Sequence, residues 1–172
     1  MPATEDDLLK RFDELGINTT LYRHPPMHTV EDCQTHRGNW PGGHCKSLFV
    51  RDNKNKQALI VVHEDRRVDL KFFAKAAGFG RLSFGSPDRM ARVLGVIPGS
   101  VTPFALINTP ENENLHIYLD ADMMAMDPLY YHPLHNEATV AISSIDLLRF
   151  IDHCGHKPIT FHFDPPTQTL DA

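Results

Sequence analysis

The sequence SLFVRDNKNKQALIVV at residues 47–62 decides the fold. Two runs rich in β-branched, aromatic and aliphatic residues, 47–51 and 58–62, flank a polar turn at 52–56, which is the pattern of a β-hairpin. The second run is apolar throughout, whereas a strand with one wet face alternates apolar and polar residues. We therefore expect 58–62 to be a central strand.

Upstream of this hairpin, the chain predicts an opening helix. Thr4 can cap it, and Gly16 supplies its C-terminal stop. Apolar residues recur between them at helical spacing, namely Leu8, Leu9, Phe12 and Leu15. A short strand is expected at 19–23, before the break at His24-Pro25-Pro26.

Two more helices are predicted downstream of the hairpin. The first covers 68–77 and stops at Gly78. The second has Ser86 as its cap, proline in its first turn, and Gly95 at its exit after Leu94. Helices that follow a hairpin in this way are available to cover its sheet.

The last third of the chain predicts further strands and one helix. Residues 104–108 and 115–119 surround a polar segment and predict a second hairpin, and single strands are expected at 139–142 and 158–163. Ser144 is expected to cap a helix over 145–153 that ends at Gly155.

These elements predict a single domain covering residues 1–172, with 164–172 as a loose tail. Residues 29–43 predict a short helix and a Gly/Pro-rich loop, and no repeat or linker interrupts the chain. Hairpins interleaved with helices indicate an α/β fold with a mixed, largely antiparallel sheet flanked by helices.

Bulk composition indicates an ordinary globular protein of 172 residues, with 41% hydrophobic and 23% charged residues. No apolar run approaches a membrane span, and the acidic start MPATEDD is unlike a signal peptide, so we expect a cytoplasmic protein. The three cysteines form no C-x-x-C pair, which favours reduced thiols.

Charge is distributed unevenly along the chain. The net charge is −5, but the segment from Lys46 to Arg92 carries 11 basic and 5 acidic residues, a local balance of +6. Such a segment can attract a phosphate backbone on an otherwise acidic protein. A solvated basic surface without a partner is the alternative that charge alone leaves open.

The loop from Pro98 to Pro103 is a candidate site. Gly99 allows a tight turn, so the N–H groups of Ser100, Val101 and Thr102 could point at one anionic oxygen. The loop would then hold an oxyanion or a phosphate. An ordinary turn is the alternative.

Lys46 begins the first strand of the hairpin, where its ammonium could hold a phosphate or polarise an ester carbonyl. The neighbouring Cys45 raises a competing hypothesis, a thiolate nucleophile activated by nearby cations. Sequence neighbours on a strand face opposite sides, which weakens that pairing with Lys46.

His132 lies in the segment YYHPLHN, where it could act as a general acid or base or as an orienting donor. Most histidines are structural or exposed, so this residue alone decides little. The 11 histidines also raise a metal hypothesis, but none of their spacings reproduces H-E-x-x-H or paired C-x-x-C ligands. We expect no metal and no cofactor.

Eight ordered motifs along nearly the whole chain bring these pieces together. They are the opening helix, His24-Pro25-Pro26 with Thr29-Val30-Glu31, residues 46–52, 68–71, 81–84, 94–104, His132-Pro133-Leu134 with Asn136, and 146–150. In this order they resemble the YbaK/ProRS-editing-domain family, specifically the bacterial prolyl-tRNA editing proteins of the stand-alone Ala-tRNA(Pro) deacylase type.

The resemblance implies hydrolysis of the ester that joins a misplaced amino acid, typically alanine, to tRNA for proline. In the family's pattern the lysine corresponds to Lys46, the Gly-x-x-x-Pro loop to Gly99 through Pro103, and the histidine to His132. We expect Lys46 to anchor the terminal phosphate or ribose, the N–H groups of Gly99 to Thr102 to bind the carbonyl oxygen, and His132 to orient the substrate. The neighbouring ribose hydroxyl would help to activate water. The resemblance also implies a mixed sheet flanked by helices, with the site in a small pocket at one end.

Four further residues are expected at the substrate, namely Ser47, Thr29, Pro103 and Asn136. The family usually has asparagine after the lysine, whereas this chain has the shorter Ser47, which bears on the choice of amino acid. The expected partners are misacylated tRNA(Pro) and prolyl-tRNA synthetase. A non-catalytic module that binds tRNA or a synthetase is the alternative, and a metal- or cysteine-dependent esterase is a third hypothesis.

Overall fold

A computed structural model describes residues 1–26, 40–110 and 113–163 of the chain. The helices are α1 (Glu5–Leu15), α2 (Leu70–Ala77), α3 (Pro87–Leu94), α4 (Ala121–Met124) and α5 (Ser144–His153), with a 3-10 helix at Pro103–Asn108. The strands are β1 (Thr20–Arg23), β2 (Gly43–Arg51), β3 (Gln57–His63), β4 (Ser83–Phe84), β5 (Leu115–Asp120), β6 (Leu129–Tyr131), β7 (Ala138–Ile142) and β8 (Ile159–Phe161).

The strands form one mixed sheet in the order β1-β7-β6-β2-β3-β5-β8, and β4 pairs with β2 off this path. Antiparallel pairing joins β1 to β7, β7 to β6, and β2 to both β3 and β4. Parallel pairing joins β6 to β2, β3 to β5, and β5 to β8. The predicted fold class, a mixed and mostly antiparallel sheet flanked by helices, is confirmed.

The hairpin at 47–62 is confirmed as β2 and β3, with Ser47 opposite Val61 and Arg51 opposite Gln57. Residues 58–62 are fully buried, and β3 lies between β2 and β5 in the sheet. Burial on both faces explains why this strand carries no polar alternation.

The second predicted hairpin is wrong. Residues 103–108 form the 3-10 helix, and β5 pairs with β3 and β8 in parallel. Pro103 to Leu106 are all buried, and a short apolar run that is buried all round shows no period that distinguishes a strand from a helical turn. Thr102 caps this turn by accepting a hydrogen bond from the Phe104 amide.

Helix ends follow the predicted caps with one exception. Thr4 forms a capping box on α1, Ser86 caps α3, and Gly16 and Gly95 end those helices in left-handed conformations. The prediction for α5 is wrong by one residue, because Ser143 is extended and accepts from the Asp146 amide. In a Ser-Ser pair either hydroxyl can cap, and the backbone decides which one does.

The sheet has a hydrophobic core on each face. The larger core holds Leu59, Val61 and a triangle of phenyl rings from α1, the 3-10 helix and α5, with centroids 5.2–5.5 Å apart (Phe12, Phe104, Phe150). The smaller core packs α2, through Phe73, against Ile60 and Val62. Alternate residues of β3 thus serve opposite cores, as the pleat of a strand requires.

Sequence reasoning missed β4, α4 and β6, which are short. Residues 29–39 of the predicted loop and the predicted tail at 164–172 lie outside the described residues. Within the described parts of the chain, no helix is long and apolar enough to cross a membrane.

Candidate active site

Lys46 lies on β2, and His132 directly follows β6, the strand that pairs with β2 in parallel. The parallel pairing of β2 with β6 places Gly43 beside Leu129 and His44 beside Tyr130. Two residues further along each strand, the same register leads to Lys46 on β2 and to His132 just after β6. The pairing therefore places these two residues on adjacent stretches of chain at one end of the sheet.

They also share a face of the sheet. Tyr131 belongs to the larger core and Cys45 packs against it, so the residues that follow each of them point to the other face. Leu48, which shares the face of Lys46, packs against the smaller core. Ser47 lies on the face opposite to Lys46, beside Val61 of β3.

The Lys46 ammonium is half-buried, and burial lowers the pKa of this group, although the Asp65 carboxylate opposes the shift. Asp65 follows β3, and Lys46 pairs with Val62 on that strand. A partly desolvated cation attracts an incoming anion more strongly than a fully hydrated one. Lys46 is thus suited to hold a phosphate or to polarise a carbonyl oxygen.

His132 is held by the backbone. Its Nδ1 lies 2.9 Å from the carbonyl oxygen of Ala138, and a carbonyl can only accept, so Nδ1 carries the hydrogen. Burial lowers the pKa of His132, and the nearby His24 and His135 lower it further, whereas the Ala138 hydrogen bond raises it. The ring is therefore a neutral imidazole whose Nε2 has a lone pair that can accept a hydrogen.

His24 is a second histidine at this site that sequence reasoning did not place there. Its ring centroid lies 6.2 Å from that of His132. Its Nδ1 contacts the Pro25 carbonyl at 2.8 Å, and its Nε2 contacts the Thr139 hydroxyl at 2.8 Å. The signal for it was the motif His24-Pro25-Pro26, which fixes the chain as it leaves β1.

The loop from Pro98 to Pro103 is a tight turn. The Ser100 amide donates to the Ile97 carbonyl at 3.1 Å, so it closes the turn and is not available to a ligand in this conformation. Among the described residues, none accepts from the amides of Gly99, Val101 or Thr102. The binding of an oxyanion by the amides of Gly99 to Thr102 stays a prediction, and within this set Ser100 alone has its amide engaged inside the loop.

Gly99 has φ 90°, and a Cβ built on it would lie 3.7 Å from Nδ2 of Asn136. The structure therefore brings the loop and Asn136 together, and Asn136 belongs to the segment that also carries His132. Among the described residues, no hydrogen bond joins the Lys46 side chain to this loop or to His132. Thr29 lies outside the described residues, and Pro103 is buried at the start of the 3-10 helix.

Ser100 contains an unusual buried group. Its side chain is 1% exposed, and its Oγ has no hydrogen-bond partner among the described residues. A buried hydroxyl without a partner costs about 1–3 kcal/mol. Alanine at this position would avoid that cost in stability, so the serine hydroxyl is not explained by the stability of the turn alone.

Cys45 is not an activated nucleophile. Burial raises the pKa of its thiol to about 12, and Sγ donates to the Gly43 carbonyl at 3.1 Å. A thiol that stays protonated at neutral pH is a poor nucleophile. This finding contradicts the cysteine form of the esterase hypothesis.

Several basic side chains lie at the far end of β2, around the turn into β3. Arg51 is five residues beyond Lys46, a separation of roughly 17 Å along a strand. Some of these cations are tied to the protein, since Lys56 Nζ donates to the Gly78 carbonyl at 3.1 Å and Arg89 donates to Gln57 at 3.0 Å. The basic segment thus extends over the surface beyond the candidate site.

Comparison with known proteins gives the family. The model of the aminoacyl-tRNA editing domain matches residues 24–150, well over half of the chain. The prolyl-tRNA editing protein ProX of Acetoanaerobium sticklandii is 33% identical over 150 residues, which cover 87% of this chain and 91% of that protein.

A relative from cattle and a solved structure extend the comparison. The prolyl-tRNA synthetase associated domain-containing protein 1 of Bos taurus is 35% identical over 162 residues, covering 91% of this chain and 94% of that protein. The crystal structure of a candidate trans-editing enzyme for prolyl tRNA synthetase matches the fold with a TM-score of 0.71 at 20% identity, covering 96% of this chain and 99% of that one. The resemblance found in the eight ordered motifs is confirmed, and the chain belongs to the aminoacyl-tRNA editing domain family.

Proposed function

We propose that this chain is a trans-editing deacylase of the cytoplasm that hydrolyses the ester between a small misattached amino acid, alanine in the first place, and tRNA(Pro). The observation that carries the proposal is the pairing of β2 with β6, which leads Lys46 and His132 to one end and one face of the sheet. Family membership supports the reaction class, and the names of the prolyl-tRNA relatives support the tRNA.

The reaction needs little from the protein. An amino acid ester next to a free ribose hydroxyl is already activated, so positioning water and stabilising the tetrahedral oxyanion are the main tasks. Water adds to the carbonyl carbon, and the bond to the ribose oxygen then breaks, which releases the free amino acid and the tRNA. The vicinal ribose hydroxyl helps to activate the water.

Each candidate residue has a role in this scheme. The half-buried Lys46 ammonium holds the terminal phosphate or ribose, and the amides of Gly99, Val101 and Thr102 bind the carbonyl oxygen. His132 accepts a hydrogen from the substrate at Nε2, because Nδ1 is committed to Ala138. Asn136 supports the loop through its position beside Gly99.

Selection among amino acids should depend on the size of the pocket. One methylene group changes binding by only about 1–3 kcal/mol, so a synthetase cannot fully reject a smaller amino acid, and a second site must remove it. Ser47, where the family usually has asparagine, is the residue that we expect to alter this size limit. Ser47 lies on the face of the sheet opposite to Lys46. We therefore expect Ser47 to change the size of the pocket indirectly, through the backbone of β2 or through residues on its own face of the sheet.

Release of alanine from Ala-tRNA(Pro) tests the proposal. We expect wild-type protein to deacylate Ala-tRNA(Pro) much faster than Pro-tRNA(Pro), and Lys46→Ala to lose about 100-fold in rate. Lys75→Ala, which removes an exposed lysine from α2, is the matched control and should keep the wild-type rate. Equal rates for wild type and Lys46→Ala would remove Lys46 from the site.

A second candidate function is a non-catalytic module that binds tRNA or prolyl-tRNA synthetase. The basic balance of +6 between Lys46 and Arg92 favours it, because phosphate attraction needs no catalysis. Saturable binding of tRNA(Pro) without release of alanine, serine or proline from any mischarged tRNA would establish this alternative and refute the deacylase.

A further inference from the structure

The face of the sheet that carries Lys46 also carries a cluster of aromatic rings. This ring cluster consists of Tyr22 on β1, Trp40, His44 on β2 and Tyr130 on β6. Tyr22 and Trp40 stack with centroids 4.1 Å apart, and His44 and Tyr130 stack at 4.3 Å with their planes 5° apart. The two pairs meet where Trp40 lies 5.8 Å from Tyr130.

We propose that the ring cluster is a stacking surface for the unpaired nucleobase at the 3′ end of the tRNA, next to the ester that Lys46 and His132 receive. This inference rests on the proposed function, because it identifies the part of the same substrate that the rings recognise. The ligand is a single-stranded purine or pyrimidine base joined to a ribose and a phosphate.

The position of the rings relative to the candidate site carries the argument. His44 and Tyr130 are a cross-strand pair, and they come two residues before Lys46 and His132 on the same two strands. Residues two apart on a strand point to the same face and lie roughly 7 Å apart. The ring pair is thus one step along the sheet from the ester-binding pair, about the step between an esterified ribose and its own base.

The rings are held in place by the backbone. His44 Nε2 contacts the Trp40 carbonyl at 2.9 Å, and the Tyr130 hydroxyl donates to the Pro41 carbonyl at 2.6 Å. Both contacts tie the segment before β2 onto the sheet. Rings that are already fixed lose little conformational freedom when a base stacks on them.

The rings differ in exposure in a way that suits a platform. Tyr130 is 5% exposed and forms the base of the cluster, whereas Tyr22, Trp40 and His44 are partly exposed. Rings that served only to fill a core would be buried throughout, whereas three of these four keep part of their surface open to solvent. Every nucleobase has a flat π surface, so aromatic rings bind unpaired bases with little dependence on sequence.

Lys46 adds the charge that such a ligand needs. Its ammonium lies on the face of the rings, two residues from His44, where it can meet the phosphate or ribose attached to a stacked base. Aromatic rings beside a cation are the combination found at sites that bind single-stranded nucleic acid.

The experiment uses Trp40 as its own probe, because it is the only tryptophan of the chain. Stacking of a base on this indole should quench its fluorescence. We expect the RNA tetramer ACCA to quench it saturably, and the same tetramer with an abasic 3′ residue to bind about 10-fold more weakly. His44→Leu should weaken the binding of ACCA by a similar factor. Phe84→Leu, which removes an exposed ring from β4, is the control and should leave it unchanged.

Kinetics on Ala-tRNA(Pro) separate this inference from the proposed function. We expect Trp40→Leu to raise KM by about 10-fold with little change in kcat. Wild-type deacylation with no ACCA quenching and an unchanged KM for Trp40→Leu would overturn the stacking surface and leave the deacylase standing. Quenching that depends on the terminal base, with no deacylation of any mischarged tRNA, would support the surface as a base-binding site and refute the deacylase.

Discussion

His132 and Ala138 are joined by a hydrogen bond of 2.9 Å from the imidazole Nδ1 to the carbonyl oxygen. The contact closes the loop between β6 and β7 and fixes the tautomer of the ring. It leaves Nε2 as an acceptor, so the neutral imidazole is the form that can take a hydrogen from a substrate. The protonation state of His132 is therefore the first property to test.

Replacing His132 with alanine should lower deacylation of Ala-tRNA(Pro) by about 100-fold. The wild-type rate should stay level as pH falls through 6.5, the ordinary pKa of histidine, because burial lowers the pKa of His132 and keeps the ring neutral. It should fall only at lower pH, where the ring gains a proton. Rates measured between pH 5 and 8, with the uncatalysed rate subtracted, show this.

His24 offers a control for that pH profile. The electrostatic interaction with His24 lowers the pKa of His132, so His24→Asn should move the acid limb of the rate profile to higher pH. Because burial is the larger cause, the shift should be small. A wild-type inflection above pH 6.5 would contradict the neutral assignment.

Replacing Gly99 with alanine should slow deacylation by about 10-fold and cost about 1 kcal/mol of unfolding free energy. The added Cβ would meet Asn136 at 3.7 Å, an ordinary contact, so the cost comes from the backbone at φ 90°. Gly16→Ala is the matched control, with φ 68° and nothing within 4 Å of the new Cβ. It should lose similar stability and keep the wild-type rate. Equal rates for the two variants would separate the loop from the chemistry.

Replacing Glu5 with glutamine should lower the unfolding free energy by about 1 kcal/mol at pH 7. Its carboxylate pairs with Arg23 at 2.7 Å and with His135 at 2.6 Å, and so ties α1 to β1 and to the loop of Asn136. The Arg23 hydrogen bond lowers the pKa of Glu5 below 4.5 despite partial burial. Stability from this group is therefore present above pH 4.5 and is lost as pH falls through the lowered pKa.

Urea unfolding at pH 7 and at pH 3.5 measures this difference. The gap between wild type and Glu5→Gln should shrink at the lower pH. Glu14→Gln is the control, because Glu14 is 59% exposed and lies 3.8 Å from Arg11. If both variants lose the same stability at pH 7, the Glu5 pairs contribute nothing beyond an ordinary surface ion pair.

Replacing Cys45 with alanine should leave the deacylation rate within about two-fold of wild type, because its buried thiol is protonated at neutral pH. The lost contacts should cost about 1 kcal/mol of stability. Cys154→Ala removes a half-buried thiol whose pKa burial raises to about 11, and it serves as the comparison. A loss of 100-fold with Cys45→Ala alone would revive a cysteine nucleophile.

Much of the fold followed from local signals. Local sequence patterns predict three elements, namely the apolar strand at 58–62, the helix that begins after Thr4 and the helix between Ser86 and Gly95. The two helices can be located because capping residues act within a few positions of a helix end. The prediction of a strand at 104–108 is wrong because it too rests on local pattern alone. Its burial comes from contacts with Phe12 and Phe150, which no local window contains.

The candidate residues at Lys46, the 98–103 loop and His132 could likewise be named from motifs alone, and so could the family. The sequence determined which groups are available for chemistry. Only the tertiary structure decided that β2 runs parallel to β6, that His132 donates through Nδ1, and that Tyr130 stacks on His44. Strand pairing between segments more than 80 residues apart depends on the closing of the whole sheet, and no spacing along the chain encodes it.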